Sequence, residues 1–331
     1  REDPDRRLGL LKKHDRSKPV EYLHAMNPRA ASRWLEPRLL GFAKSSVRST
    51  VHRSVYSDYV TIKNFDEDGE VARETRFLGL FTSRAYTQSP FRIPVVRRKL
   101  EAVMAQANVQ PNHHQGRYLE HVLECYPRDE LFQISVPTLS KIATGITRLH
   151  ERKQVRLFVR RDDYGRYFSC LVYVPRDLYH TELRRKVSDI LCEALGSKEA
   201  EFTTYFSDSV LARTHFVLRV DPMAEIEFDR KAIERRIVEA AKTWEQRFEE
   251  ASIASLGAEK GASLAREFAA GFPAGYIEDF DARVAVRDVQ TIIGLEQGPE
   301  IGMSFSRQIE DPENHLRFKL FQLDDIVTLS D

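Results

Sequence analysis

Four side chains that can bind a transition metal lie near one another in the sequence: His113, His114, His121 and Cys125. His121 and Cys125 are four residues apart, so both would lie on one face of a helix. Imidazole and thiolate are ligands that zinc prefers, but zinc sites usually combine two such close pairs. Since no second pair is present, a surface histidine beside a half-buried thiol is favoured, and we predict no metal-binding residues.

The glycines do not form a nucleotide-binding loop. Dinucleotides need a glycine-rich turn such as G-x-G-x-x-G between a strand and a helix, so that the backbone can approach the pyrophosphate. Neither this motif nor a P-loop occurs. Gly294, Gly298 and Gly302 recur at four-residue intervals, but across a predicted helix end and a loop. We therefore predict no cofactor-binding and no catalytic residues in this chain.

Arginines and tyrosines cluster around a predicted hairpin in a way that resembles a small RNA-binding sheet, since such rings and guanidinium groups stack on unpaired bases. They are Arg160, Arg161, Arg166, Tyr164 and Tyr167. Asp162 and Asp163 lie among them, however, and 51 Lys+Arg against 50 Asp+Glu leave a formal net charge of only +1. Phosphate-binding domains are usually clearly basic. A solvated hairpin or a subunit contact is therefore favoured, and we predict no nucleic-acid partner.

Two further patterns are more simply structural. Asp66–Gly69 (DEDG) is too short for a calcium loop, which has a glutamate further along the chain, so we predict a turn. Trp244 and Phe248 would share one face of a helix, which favours helix packing over a cofactor site.

The composition is that of a globular protein of two or three domains. The chain has 331 residues, of which 42% are hydrophobic and 31% charged. Its three cysteines include no CxxC pair, which favours reduced thiols and a cytoplasmic location. No apolar stretch approaches the roughly 20 residues of a membrane helix, so no membrane partner is predicted. The charged start has no signal peptide and no initiator methionine, which suggests a fragment of a longer protein.

The clearest module spans residues 155–225. Two aromatic-rich strands flank Asp162–Gly165, where glycine can take the positive φ of a short hairpin loop. Phe168, Cys170, Val172 and Val174 would share one face of the second strand. A helix capped by Thr181 follows and ends at Gly196, and then come two more strands, of which Arg213, His215 and Arg219 would face outward. This order predicts a ferredoxin-like antiparallel sheet with helices on one face.

The remaining segments make the chain a multi-domain α+β protein. Residues 1–38 are predicted to be a charged lead-in, and 39–93 an antiparallel β unit of four strands. Residues 94–154 would be a helical connector. A helical segment over 226–298 would begin with one long helix from Asp229 to about Ser255. Residues 299–331 would contain a half-buried strand at Leu316–Leu320 and the truncated start of a further domain.

Several short stretches resemble the large bacterial NAD-specific glutamate dehydrogenases. The resemblance is in their amino-acid identities and not in their hydrophobic periodicity. These stretches are Thr50–Arg53 (TVHR), Arg76–Ser83 (RFLGLFTS), Tyr126–Gln133 (YPRDELFQ), Arg156–Asp162 (RLFVRRD), Val172–Asp177 (VYVPRD) and Glu201–Thr204 (EFTT). The resemblance implies an internal piece of that family's N-terminal segment. It would make 39–93 PAS-like, 155–225 ACT-like and 299–331 the start of another ACT-like domain.

The same resemblance implies the function. The parent enzyme would oxidise L-glutamate to 2-oxoglutarate and ammonium with reduction of NAD, but no residue here matches the family's catalytic motif. We therefore predict a non-catalytic regulatory and oligomerisation segment of a cytoplasmic homo-oligomer. Its partners would be other domains and subunits of the enzyme and an amino-acid effector, with NAD bound only elsewhere in the parent. A purely structural spacer and an RNA-binding sheet module remain as alternatives.

Overall fold

The structure is a computed structural model that describes residues 28–49, 55–109, 113–149, 152–207, 209–296, 298–306 and 316–323. These residues belong to two compact units, one ending at Ala241 and one beginning at Lys242. Most of the predicted lead-in, the Thr50–Arg53 motif and the segment after Leu323 lie outside the described residues.

Three antiparallel strands form the first sheet, in the order β1-β2-β3. They are β1 (Leu40–Arg48), β2 (Tyr56–Phe65) and β3 (Val71–Gly79). The prediction of four strands is wrong for the described residues, because the polar Lys44–Ser46 stretch continues β1 instead of ending it. Lys44 pairs with Asp58 across the strands, and its Nζ lies 2.6 Å from the Asp58 carboxylate. This cross-strand ion pair lets the strand carry a charged side chain in its interior.

The predicted turn between β2 and β3 is confirmed. The Asp66 carboxylate accepts hydrogen bonds from the backbone N–H groups of Asp68 (3.1 Å) and Glu70 (2.9 Å). Gly69 has a φ of +82°, a conformation that glycine adopts without strain.

In the part of the chain that the structure describes, six α-helices precede the second sheet. They are α1 (Pro28–Leu35), α2 (Ser83–Thr87), α3 (Pro94–Gln106), α4 (His114–Glu124), α5 (Arg128–Gln133) and α6 (Val136–Thr147). Helix α5 has only six residues, and α6 ends at Thr147. The leucines, isoleucines and aromatic residues of α3 to α6 form one hydrophobic core.

The second sheet confirms the predicted module. Its strands are β4 (Arg156–Arg161), β5 (Tyr167–Pro175), β6 (Ala200–Phe206) and β7 (Leu211–Arg219). They are antiparallel in the order β4-β5-β7-β6. Along the chain the elements of this module are β-β-α-β-β-α. If β4 came last instead of first, the order would be the β-α-β-β-α-β order of a ferredoxin-like sheet. Gly165 in the β4–β5 turn has the expected positive φ of +74°.

Both faces of this sheet are covered, whereas we predicted helices on one face only. On one side, Phe168, Cys170 and Val172 pack with helices α7 (Thr181–Leu195) and α8 (Arg230–Ala241). On the other side, Leu171 and Tyr173 belong to the core of α3 to α6. Every residue of β5 is buried as a result. The face predicted to point outward is therefore an internal packing surface.

Two helix starts differ from the prediction. Helix α7 begins at Thr181 but is capped by His180, whose Nδ1 accepts a hydrogen bond from the Leu183 N–H. The single long helix predicted from Asp229 is two helices, because α8 ends at Ala241 and α9 spans Trp244–Leu256. A capping box between Thr243 and Gln246 begins α9.

Replacing Thr243 with alanine is expected to destabilise α9 by about 1 kcal/mol, because the cap satisfies backbone N–H groups that have no partner within the helix. Thr181→Ala is the matched control, with an expected change within about 0.5 kcal/mol since His180 holds that cap. Urea unfolding followed by circular dichroism measures both changes. Equal losses in the two variants would contradict the assignment of the cap.

The described residues of the second unit form helices and one strand pair. Its elements are α9, α10 (Ala258–Phe268), α11 (Ala274–Asp279), α12 (Ala282–Leu295), β8 (Ile301–Ser306) and β9 (Arg317–Gln322). Strand β9 was predicted and β8, its antiparallel partner, was not. Trp244 and Phe248 stack at a centroid distance of 5.3 Å within an aromatic core, so their predicted role in helix packing is confirmed. Within the described residues, every helix is too short or too polar to cross a bilayer.

Candidate functional site

Helix α5 occupies the centre of a buried polar junction between the first sheet, the helical connector and the second sheet. Its position is fixed at its C-terminal end by Lys99 of α3. The Lys99 Nζ donates hydrogen bonds to the carbonyl oxygens of Leu131 (3.1 Å), Phe132 (2.6 Å) and Ile134 (3.0 Å). A cation at this end of a helix satisfies unpaired carbonyls and favours the helix dipole. Burial lowers the pKa of Lys99 to about 8.

A buried ion pair with two hydrogen bonds joins α5 to strand β4. Arg160 donates two hydrogen bonds to the Glu130 carboxylate, from Nε at 2.8 Å and from Nη2 at 2.7 Å. Glu130 is 2% exposed and Arg160 9% exposed. Burial alone would raise the pKa of Glu130, but the charge and hydrogen bonds of Arg160 outweigh it and hold this pKa below its ordinary value. The carboxylate is therefore ionised at neutral pH and paired.

A second contact follows the first along α5. The hydroxyl of Tyr167 on β5 donates a hydrogen bond to the Gln133 side-chain oxygen, and Arg160 Nη2 lies 3.4 Å from the same hydroxyl. Burial raises the pKa of Tyr167 well above its ordinary value, so it remains a neutral donor. Two side chains of one helical turn thus hold two adjacent strands.

Ser169, His215 and Glu130 meet in the same junction and have the residue types of a hydrolytic triad. His215 Nε2 lies 2.8 Å from the Ser169 hydroxyl. The Glu130 carboxylate, which would have to orient the histidine in a triad, is instead held by two hydrogen bonds from Arg160. Ser169 is also only 3% exposed, so the group is structural.

Acidification is expected to weaken this junction through His215. Burial lowers the pKa of His215 below its ordinary value, so the unfolded chain takes up a proton at a higher pH than the folded one. The free energy of unfolding therefore decreases as the pH falls below about 6.5. Compared with His215→Gln, the wild-type chain should lose stability between pH 7 and pH 5 in urea titrations. A constant difference between the two chains would contradict this assignment.

Helix α5 also contacts the first sheet through Asp129. Lys44 of β1 lies 3.0 Å from the Asp129 carboxylate and 2.6 Å from that of Asp58. Tyr86 donates a hydrogen bond of 2.8 Å to Asp129. Burial raises the pKa of Asp58, an effect that Lys44 partly offsets. One six-residue helix therefore carries ionic contacts to both sheets through adjacent acidic residues.

The hairpin arginines have different surroundings. Arg160 belongs to the buried junction, so a solvated hairpin is the wrong interpretation for it. Arg161 donates hydrogen bonds to the carbonyls of Gly165 (3.2 Å) and Ala224 (2.9 Å). The Arg166 guanidinium lies 4.8 Å from the centre of the Tyr164 ring. Because Tyr167 is 2% exposed, the face on which bases would stack in the RNA-binding alternative is covered.

The candidate metal ligands come together only in part. Cys125 Sγ lies 3.7 Å from His121 Nε2, as their spacing predicted, and 3.4 Å from the hydroxyl of Tyr205 on β6. His113 and His114 lie at the start of α4, about 10 Å along the helix from His121. Across the described ranges, no group of three or more His, Cys, Asp or Glu side chains could hold a metal. All three cysteines are free thiols.

The recurrent glycines lie apart from any phosphate-binding turn. Gly294 is inside α12, and Gly302 is inside β8. A Cβ at Gly302 would lie 3.0 Å from the Thr291 methyl group and 3.2 Å from a Leu295 methyl group. This glycine allows the strand to approach α12 closely, which is a packing role.

Sequence reasoning missed Glu130 and Lys99 as junction residues and assigned His215 to an outward face. One signal was available: Arg160, Tyr167 and Ser169 are polar groups on the strand face opposite the apolar one. A polar side chain in a strand is either exposed to water or buried with a hydrogen-bonding partner. The strand sequence alone does not show which, because the partner lies in another segment of the chain.

Three family models match consecutive parts of the chain. They are described as glutamate dehydrogenase helical motif 1 over residues 93–152, ACT2 domain over 156–245, and helical motif 2 over 253–295. These ranges correspond to the helical connector, the doubly covered sheet and most of the helical part of the second unit.

Curated relatives carry the same name. An NAD-specific glutamate dehydrogenase of Halomonas elongata is 44% identical over 295 residues, which are 89% of this chain and 18% of that protein. The enzyme of the same name from Pseudomonas aeruginosa is 43% identical over 89% of the chain and 18% of its own length. The Mycobacterium tuberculosis enzyme is 32% identical over 78% of the chain and 16% of its length. The chain therefore spans less than a fifth of the relatives it matches.

Proposed function

From the premise that this chain belongs to the family of NAD-specific glutamate dehydrogenases, we propose that it is a non-catalytic regulatory and assembly segment of such an enzyme. The whole enzyme would oxidise L-glutamate with NAD and water to 2-oxoglutarate, ammonium and NADH. The catalytic residues and the NAD site would lie in another part of the polypeptide. The partners of this segment would be other domains and subunits of the enzyme and an amino-acid effector.

The observation that carries the proposal is the buried Glu130–Arg160 pair. It joins the helical connector to the sheet, and Asp129 beside it joins the connector to the first sheet. If a ligand or a subunit displaced the second sheet, helix α5 would therefore move with it, and α5 would in turn displace strand β1. An effector that binds one arrangement of these elements more tightly than another would shift the equilibrium between the two arrangements. The shift equals the difference between its two binding free energies, typically about 1–3 kcal/mol.

Two domain assignments belong to the same proposal. The first sheet would be part of a PAS-like domain, and strands β8 and β9 would begin a further ACT-like domain. The apolar outer face of the β8–β9 pair supports the second assignment, since Phe305 is 72% and Met303 62% exposed. Additional strands or helices would have to cover such a surface.

Two measurements on the purified chain test the proposal. With glutamate and NAD, the chain should produce no NADH, and turnover that persists after further purification would contradict a non-catalytic role. Thermal unfolding in the presence of individual amino acids should then reveal a reproducible stabilisation by an effector. A chain that is stabilised by none of them would favour the alternative, a structural spacer.

The RNA-binding alternative has less support. The sheet face that carries Tyr167 and Ser169 packs against the connector, so bases could stack there only after the two separate. Retention on single-stranded RNA that weakens with salt would nevertheless restore this alternative.

A further inference from the structure

We propose that strand β6 pairs in antiparallel fashion with β6 of a second copy of this chain, which joins the two second sheets into one continuous sheet. The inference deepens the assembly role proposed above and rests on it. It starts from the strand order β4-β5-β7-β6, which leaves β4 and β6 at the two edges of the sheet. An edge strand presents main-chain N–H and C=O groups that can pair with another strand.

The β4 edge is closed by side chains of helix α8. The Leu157 N–H donates a hydrogen bond of 2.8 Å to the Glu234 carboxylate, and the Leu157 carbonyl accepts one of 3.1 Å from Arg230 Nη1. Arg230 and Glu234 also pair with each other at 3.0 Å. Because these main-chain groups are already satisfied, a further strand would gain little at β4. Strand addition is therefore directed to the opposite edge.

The β6 edge carries exposed aromatic rings. Phe202, Tyr205 and Phe206 are 47%, 40% and 49% exposed. An arginine lies over each ring, with its guanidinium carbon 3.8 Å from the centre of Phe202, 4.6 Å from that of Tyr205 and 5.7 Å from that of Phe206. Rings held in this way lose little conformational freedom when a partner covers them. The strand sequence also contains neither lysine nor proline, the residues that commonly protect an edge strand from pairing.

Strand β6 is complementary to itself in size and charge. With a two-fold axis at Thr203, each aromatic ring lies opposite a smaller residue of the second copy. The opposed pairs are Phe202 with Thr204, Phe206 with Ala200, and Tyr205 with Glu201. The Glu201 carboxylate would also approach the guanidinium over the Tyr205 ring of the other copy, so opposite charges meet on that face. This complementarity favours a second copy as the occupant of the edge.

The size of the surface predicts a weak dimer. At roughly 200 Å² for each ring, the exposed fractions amount to about 500 Å² in two copies, below the roughly 1,200 Å² of a stable interface. Main-chain hydrogen bonds add to this, and so does helix α7, whose Arg184 lies over Phe202 and which would come next to its equivalent. We therefore expect a dissociation constant in the micromolar range. Growth of this sheet should stop at two copies, because the joined sheet ends in a closed β4 edge on both sides.

Sedimentation velocity of the full chain measures the association, and we expect a change from monomer to dimer between about 1 and 100 µM. Thr203 is exposed, so its replacement should leave the fold intact. Thr203→Lys places two ammonium groups opposite each other at the axis and should weaken the dimer by about tenfold or more. Thr203→Glu should have the same effect. An equimolar mixture of the two variants should form dimers again, because lysine then faces glutamate.

Thr75→Lys is the matched control, because Thr75 is exposed on β3, an edge strand of the first sheet. This variant should dimerise as the wild type does. The proposal is overturned if the wild type stays monomeric over this range or if Thr203→Lys dimerises as tightly as the wild type. It is also overturned if the mixture associates no more tightly than either variant alone. A monomeric wild type that produces no NADH would reject the pairing and leave the non-catalytic role in place.

Discussion

Replacing Glu130 with alanine is expected to lower the free energy of unfolding of the first unit by about 3–5 kcal/mol. The substitution leaves the Arg160 guanidinium in a buried position without its carboxylate, which costs far more than the net contribution of the intact pair. Urea unfolding followed by circular dichroism measures the change.

A surface pair provides the control for this prediction. Glu182 and Lys186 form an ion pair on α7 with both side chains more than half exposed, so Glu182→Ala should leave the stability nearly unchanged. The double substitution Glu130→Leu with Arg160→Met removes both charges and should recover much of the loss. A loss in Glu130→Ala as small as that in Glu182→Ala would show that the junction is solvated and would weaken the proposed coupling.

Replacing Phe248 with alanine is expected to destabilise the second unit by about 3–5 kcal/mol. Phe248 is fully buried and packs against Trp244 at 5.3 Å and Phe272 at 5.2 Å between ring centres. Truncation removes apolar contact area and leaves a cavity that the surrounding rings fill only partly. Hydrogen exchange should show faster exchange in α9 and α12, while strand β5 of the first unit keeps its protection.

An exposed phenylalanine of the same unit is the control, because it shows the effect of removing an aromatic ring that is not buried. Phe305 is 72% exposed, so Phe305→Ala should change stability by less than about 0.5 kcal/mol. Unchanged protection of α9 in Phe248→Ala would contradict the assignment of this helix to the core.

The ferredoxin-like sheet was predictable because its signals are local. Alternating apolar residues, Gly165 in the hairpin turn and Gly196 after α7 each specify structure within a few residues. The capping box at Thr243 and Gln246 was equally local. It was overlooked because apolar residues continue at helical spacing from Ile237 through Trp244, and periodicity alone does not detect a break between two helices.

The polar junction could not be predicted from local patterns. Arg160 in a strand next to Asp162 and Asp163 has the signature of a solvated residue, and its partner Glu130 is thirty positions earlier in a helix of six residues. Only the packing of the connector on the second face of the sheet brings the two together. The same packing turns Arg213 inward, where it donates to the Cys125 carbonyl. Arg219 donates instead to the Ser45 carbonyl of strand β1 in the first sheet.

The double coverage of strand β5 determines where this polypeptide can be divided. If the sheet were excised at residue 155, Leu171 and Tyr173 would be exposed to water together with the charged and polar groups of the severed junction. The excised piece would tend to aggregate or to lose side-chain order. We therefore expect the connector and the sheet to unfold as one cooperative unit, although two separate family models describe them.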